Sequence, residues 1–250
     1  MSAKVLVLCK SCVAPSKNMG ASLQQKVRSD QQRSIETKNK ILNAAEELFS
    51  LHGFSGTSLR DIHSLSGVPP SLCYYHFGSK EDVLQAVVDR RADAHQRAML
   101  ALLDSYRQKF NEGPIPVEAL VEAYVRPILE QHLSHGNGWR NYTRLMAFLY
   151  SESSHLQPRV QVHKYDQVVN QFIEEFRKSM PHASEPTLHW GIYFLRSSVI
   201  NLLLDTRLVD DQSAGLCDSG DVEEAIQNLQ RFFSSGFQFI AFSPNPNEGS

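Results

Sequence analysis

Apolar residues recur three and four apart from about residue 34 almost to the end of the chain. Nowhere do they alternate at period two over a useful length. The pattern predicts helices throughout and no sheet. Ile41, Ala45 and Leu48, with Leu42 and Phe49 beside them, mark a first helix that Ser34 can cap and Gly53 can end after His52. Ser58-Leu59-Arg60-Asp61 has the form of a capping box and opens a short helix that Gly67 breaks after Ser66. Pro69-Pro70 suits the first turn of a third helix, closed by Gly78. Ser79 to Asp82 caps a fourth, much longer one reaching about Phe110. Beyond the Asn111–Pro114 turn, helices are expected at roughly 116–134, 139–152, 158–179, 187–209 and 221–241, with Pro127 kinking or breaking the first of them. Residues 1–33 show little periodicity and are expected to form a mobile arm. Asp210 to Gly220 is expected as a polar loop and 244–250 as a loose tail.

Composition narrows the class. Of 250 residues, 42% are hydrophobic and 21% charged, which fits a folded globular chain rather than a disordered one. A formal charge of −2 excludes a domain-wide basic field, so any nucleic acid must be met by a local patch. One local excess lies between Gln24 and Lys40, where Lys26, Arg28, Arg33, Lys38 and Lys40 face only Asp30 and Glu36. It reads either as a solvated tail or as an arm along phosphates. The four cysteines are too scattered for a disulfide framework, and Cys9-x-x-Cys12 has no second pair to complete a zinc site. The apolar run Val5–Cys9 is too short for a signal peptide, and no stretch approaches a membrane span. The expectation is a cytoplasmic protein with no cofactor or metal, whose translation begins at Met1 or at Met19.

The chemistry-bearing residues crowd the short helices. Two brief helices meet at the Gly67 turn, and the second is of a size that can enter a DNA major groove, roughly 12 Å wide. Ser71, Tyr74, Tyr75, His76 and Lys80 lie there, and hydroxyl and ammonium groups are common phosphate contacts. Lys80 also stands in the first turn of the fourth helix, where free N–H groups favour an anion. Taken singly, Tyr75 and Phe77 are more often core residues and a lysine is more often merely solvated.

The run Gly53-Phe54-Ser55-Gly56-Thr57-Ser58-Leu59-Arg60-Asp61-Ile62, then Gly67-Val68, then Leu72-Cys73-Tyr74-Tyr75-His76-Phe77-Gly78-Ser79-Lys80-Glu81 resembles the N-terminal domain of the TetR family. The likeness covers residues 34 to 81. It implies an all-α chain with a three-helix helix-turn-helix head at 34–82 and a helical ligand-binding and dimerisation domain at 83–243. It further implies that Ser58, with Thr57 beside it, touches phosphate, that Arg60 faces the DNA, and that Pro70 and Ser71 lie near base edges. Tyr74, His76 and Lys80 would hold the DNA backbone, with Phe77 packed beneath the head. His63 and Ser66, where relatives often carry small alanines, and Cys73, where many have Leu, depart from the pattern. The prolines and serine at the reading end offer little bidentate base recognition, so specificity would lean on DNA shape, on Arg60 or on the arm.

For the body the resemblance implies a small effector, DNA binding by a homodimer, and repression released by ligand. Tyr124, His132, Trp139, Tyr142, Met146, His163, Phe172, Trp190 and Phe194 are the candidate lining of a site for an apolar or aromatic molecule. Leu195 and Leu202, with Phe232, Phe233, Phe237 and Ile240 of a last helix that is apolar on more than one face, are the candidate dimer contacts. An enzyme is the rival class, but no P-loop, G-x-G-x-x-G, G-x-S-x-G or H-E-x-x-H motif is present. His132-x-x-His135 precedes Gly136 at a helix end, where histidines commonly cap carbonyls, and no third metal ligand is in view. A purely structural helical adaptor is the other rival; it has no need of a polar, aromatic reading segment.

Overall fold

A computed structural model describes residues 17–134, 136–151, 164–204 and 207–242. Ten helices are assigned among the described residues: α1 (Lys17–His52), α2 (Leu59–Ser66), α3 (Pro70–Phe77), α4 (Lys80–Lys109), α5 (Val117–Ser134), α6 (Asn137–Ser151), α7 (Lys164–Ser179), α8 (Glu185–Leu204), α9 (Leu208–Gln212) and α10 (Val222–Phe242). No strand is assigned among them. The chain divides into two compact units, Met1–Asn39 and Lys40–Ser250.

In the first unit the structure corrects two expectations. Helix α1 begins at Lys17, not at a Ser34 cap, and residues 17–33 are helical rather than a structureless arm. The stretch from Ala21 to His52 contains neither glycine nor proline and is rich in Gln, Lys and Arg, so backbone propensity forms the helix where no apolar stripe demands one. Local side-chain links support it: Gln32 donates to Glu36 (3.2 Å) and Thr37 donates back to the Arg33 carbonyl (2.8 Å). The expectations for Cys9, Cys12 and the Val5–Cys9 run fall outside the described residues, as does the 244–250 tail.

The second unit is built on two apolar clusters. The first joins Ile41, Ala45 and Phe49 of α1 to Ile62 of α2, Cys73 of α3 and Val83, Leu84 and Val87 of α4. It continues into Tyr142, Leu145 and Leu149 of α6. The second joins Met99 and Leu103, in the later turns of α4, to α5, α7, α8 and α10. Helix α5 packs on both α4 and α10 and carries the buried Leu120, Val121 and Tyr124. Of the two outcomes expected at Pro127, a kink or a break, the break does not occur: α5 is a single helix from Val117 to Ser134 with Pro127 inside it. Burial on several sides holds the helix through the one hydrogen bond that proline cannot make.

The predicted 187–209 helix ends earlier, as α8 at Leu204, and α9 lies inside the stretch expected as loop. The Phe237 ring of α10 packs so closely on Gly191 of α8 that a Cβ there would sit 2.1 Å from it. Glycine is required there for packing, since its helix propensity is poor.

Candidate functional site

The short helices are fixed by their ends. Ser58 caps α2: its hydroxyl accepts from the Asp61 N–H (3.2 Å) and its own N–H donates to the Asp61 carboxylate (2.9 Å). The Ser58 hydroxyl also donates to that carboxylate (2.6 Å), and this bond first, then the one from the Ser58 N–H, holds the Asp61 carboxyl below its ordinary pKa. Ser79 and Asp82 repeat the arrangement at the start of α4. Between α2 and α3 the chain turns through Gly67 at φ 65°, a left-handed conformation that costs a side-chain-bearing residue energy. These stops leave α3 with a single buried residue, Cys73, so Cys replacing a larger apolar residue still serves the core. Burial raises that thiol's pKa. Ser66 is accommodated as well, its hydroxyl donating to the His63 carbonyl (3.3 Å).

Helix α3 turns Ser71, Tyr74 and Tyr75 outward, with Tyr75 81% exposed. A tyrosine bared to that degree is no core residue. His76 is half-buried and meets Tyr75 edge-on at 5.2 Å, while Phe77 packs on the first apolar cluster. Arg60 and Pro70 are also exposed on this part of the chain, as is the capping Ser58.

Two residues differ from the expectation. Thr57 is buried, and its hydroxyl donates to the Gly53 carbonyl (2.9 Å) instead of facing outward. Lys80 folds back: its ammonium donates to the carbonyls of Phe54 and Thr57, both at 2.9 Å, and lies 3.9 Å from the centre of the Phe54 ring. The loop between α1 and α2 offers carbonyls with lone pairs to spare, and a nearby cation with a long stem satisfies them. Two of its three donors are thereby used within the chain.

Helices α4 to α8 enclose a cavity of about 60 Å³. Of the expected lining, Tyr124 and Met146 are present. The sequence reading missed His95 and Met99 of α4, Thr143 and Tyr150 of α6, and Arg196 of α8. The signal for Arg196 was there: it shares a helical face with Val199, Ile200 and Leu203, a lone cation on an apolar stripe. Burial pushes the His95 imidazole down, and Nδ1 is bonded to the Gln131 side chain. Tyr124 is pushed up to about 12 by burial, with Arg196 acting in the opposite sense.

Several candidates stand elsewhere. His132 sits behind the wall, its ring hydrogen-bonded to the Thr143 hydroxyl (2.8 Å), which itself donates to the Trp139 carbonyl (3.0 Å). Burial first, then Arg140 and Arg144, push His132 down to about 4. Phe172 stands edge-on to Tyr124 at 5.2 Å in the core. Tyr142 belongs to the first cluster, where Trp139 packs against it. Trp190 and Phe194 are half exposed and stack on each other at 5.4 Å on the outside of α8, because the face of that helix shared by Leu188, Leu195 and Val199 takes the core. His163 and His135 lie outside the described residues.

A buried ion cluster joins α1, α4 and α6. Glu46 is 3% exposed and accepts from Arg90 Nη2 (2.6 Å), Arg91 Nε (3.0 Å) and Arg91 Nη2 (3.1 Å). Arg91 lies 5.1 Å from the Trp139 ring, and a Cβ added at Gly138 would fall 2.3 Å from its Nη2.

The dimer candidates separate into two sets. Leu195, Phe233 and Phe237 are buried in this chain's own core, Phe237 stacked on Phe176 at 4.7 Å, and are not available to a partner. The helical period turns the other face of α10 outward, where Phe232 is 74% exposed beside Phe239 and Ile240. Leu202 is half-buried. A groove between α8 and α10 carries Phe194, Ser197, Asn201, Phe232 and Ile240.

No three His, Cys, Asp or Glu side chains among the described residues are grouped to hold a metal. No helix among them is long and apolar enough to cross a membrane.

Comparison with known proteins gives two family matches. Residues 41–87 match the family described as bacterial regulatory proteins, tetR family, and residues 122–236 match the tetracyclin repressor-like C-terminal domain. The chain is 36% identical over 69 residues to the HTH-type transcriptional regulator TtgR of Pseudomonas putida, covering 28% of this chain and 33% of that protein. It is 37% identical over 106 residues to the HTH-type transcriptional regulator RutR of Escherichia coli, covering 42% and 46%. The matches thus span between a third and a half of those two relatives. Among solved structures, Salmonella enterica GusR aligns at TM-score 0.48 and 16% identity over 83% of this chain and 96% of that one. RolR in complex with resorcinol aligns at 0.42 and 18% over 87% and 98%.

Proposed function

This chain belongs to the TetR family of transcriptional regulators, and on that premise we propose that it is a repressor which binds a palindromic operator as a homodimer and releases it when a small molecule fills the α4–α8 cavity. The observation that carries the proposal is α3, which buries only Cys73 and presents Ser71, Tyr74 and Tyr75 to solvent behind a glycine turn. A helix so exposed and so aromatic has little to gain as a structural element and is suited to a groove. In this reading residues 34–82 form the head and 83–243 the body. Ser71 and Pro70 lie near base edges. Ser58, Arg60, Tyr74, Tyr75 and His76 hold phosphates, and Thr57 and Lys80 shape the loop from which α2 starts.

Two copies would pair through the outward face of α8 and α10, with Phe194, Phe232, Phe239 and Ile240 burying against their equivalents. So contiguous an apolar face is uncommon on a monomer. Release requires that the effector bind more tightly to a head spacing that no longer fits the operator. The cavity is well below the ~300–1,000 Å³ usual for ligand pockets, so binding must displace wall side chains. That displacement is the source of the differential affinity. TetR-family regulators are transcription factors, and no enzymatic role is proposed.

The test is selection of DNA from a random pool by the purified protein, with Tyr74→Phe/Tyr75→Ala and Phe232→Glu alongside. The wild type should enrich a palindrome, the tyrosine variant should bind it weakly, and Phe232→Glu should sediment as a monomer and lose the palindrome. Failure of the wild type to enrich any sequence at low salt sinks the proposal.

A further inference from the structure

We infer that the cavity takes an apolar molecule carrying a carboxylate, with the Arg196 guanidinium at its mouth as the anchor; the inference rests on reading this cavity as the effector site. The chemistry of the wall is one-sided. From α4 come Met99 and His95, the latter bonded to Gln131. Helix α5 gives Tyr124 and Ile128, α6 gives Met146 and Tyr150, and α7 gives Val168 and Val169. Among the described residues no carboxylate lines the cavity, and burial disfavours a charge on His95. Arg196 is the one charged side chain among the described lining residues.

Arg196 has no ion pair and no side-chain hydrogen bond among the described residues. Its contacts are two aromatic faces: its guanidinium carbon lies 5.4 Å from the Tyr150 ring centre and 5.9 Å from that of Tyr193. Ring faces attract a cation but do not accept its five in-plane N–H donors, and arginine cannot shed its charge to escape the difficulty. A partly buried guanidinium left in this state gains from any anion able to reach it, and a carboxylate meets the fork in two parallel bonds. The buried Tyr124 lines the same cavity, near enough to feel the Arg196 charge, and its hydroxyl would be a second donor for that group.

Orientation follows from where Arg196 stands. It borders the cavity and also an outer groove with His189, Trp190 and Tyr193. A ligand would therefore leave its carboxylate at this mouth and direct its apolar part inward, toward Met99, Ile128 and Met146. Met99 and Met146 have unbranched, adaptable side chains that can yield the extra volume.

The probes are straight-chain carboxylates from butyrate to dodecanoate, with benzoate and phenylacetate, each paired with its primary amide. Binding to the full chain is read by calorimetry and by thermal shift. At least one acid should bind about tenfold or more tightly than its amide, the range for a charge-assisted hydrogen-bonded pair. Arg196→Met should erase that preference, bringing acid and amide to similar affinity, and Arg196→Lys should keep part of it. If Arg196→Met does not fold, Arg196→Lys alone decides, through a weakened preference for the acid. Amides equal to acids throughout, no acid bound at all, or an acid preference that survives the loss of Arg196 each overturns the inference. Operator affinity measured with the same ligands separates the two readings. An acid held through Arg196 that leaves DNA affinity unchanged removes the effector role and leaves the site. A neutral ligand that releases DNA while acids do not bind does the reverse.

Discussion

Replacing Glu46 by alanine isolates the ion cluster between α1, α4 and α6. The variant leaves two guanidiniums facing each other without the carboxylate that takes three of their N–H bonds at 2.6, 3.0 and 3.1 Å. Removing one partner of a fully buried pair typically costs about 3–5 kcal/mol, since the remaining charge stays desolvated. Here the arginine side chains are 21% and 24% exposed, so water reaches them in part, and about 2–3 kcal/mol is the reasonable expectation. For a chain of this size that lowers Tm by roughly 5–10 °C. Urea titration followed by far-ultraviolet circular dichroism, at one fixed protein concentration because the proposed subunit association would contribute to stability, gives the value directly. Glu46→Gln should fall between, keeping an acceptor and losing the charge. The cycle with Arg91→Met should return a coupling of about 1–2 kcal/mol, within the range for residues that share bonds. A loss near ~0.5 kcal/mol with no measurable coupling, the behaviour of an exposed surface pair, would refute the reasoning.

Two further outcomes follow from the packing and from the histidines. Gly191→Ala should destabilise by about 1–3 kcal/mol despite its better helix propensity, since its Cβ meets a rigid ring at 2.1 Å; Gly191→Ala/Phe237→Leu should recover part of the loss in the same titration. His132, held near pKa 4 when folded against 6.5 when unfolded, binds its proton more readily in the unfolded chain. Its contribution to stability is therefore complete above about pH 6.5 and is lost as pH falls toward 4, by on the order of 2–3 kcal/mol. The depressed His95 acts in the same direction, and His132→Gln should flatten the slope of stability against pH in that window.

The head was largely legible in the sequence because its information is local. Capping residues at 58 and 79, a glycine turn at 67 and a proline start at 70 each act within one turn of helix, and all four are observed in their expected roles. The partners of Thr57 and Lys80 within the chain were not legible because they lie in the Gly53–Thr57 loop, and loop geometry has no periodic signature. In the body, periodicity located the helices and did not orient them. Helices α8 and α10 are apolar on more than one face, and the sequence could not say which aromatic group faces inward. Phe194 and Phe237 thus exchange their expected surroundings, one exposed and one buried. At Pro127 the sequence left a kink and a break open, since the packing that carries a helix through a proline is tertiary.

Lys80 has one more consequence. The affinity of a protein for duplex DNA falls with added salt in proportion to the number of phosphates its cations neutralise, by about 0.9 of a logarithmic unit per contact for each decade of salt. An ammonium engaged by the Phe54 and Thr57 carbonyls and seated over an aromatic ring keeps its charge and one N–H to offer a phosphate. Under the proposed DNA-binding reading, the salt slope of Lys80→Met separates its two roles: a shallower slope if that N–H meets a phosphate, a weaker complex with an unchanged slope if the lysine only shapes the loop.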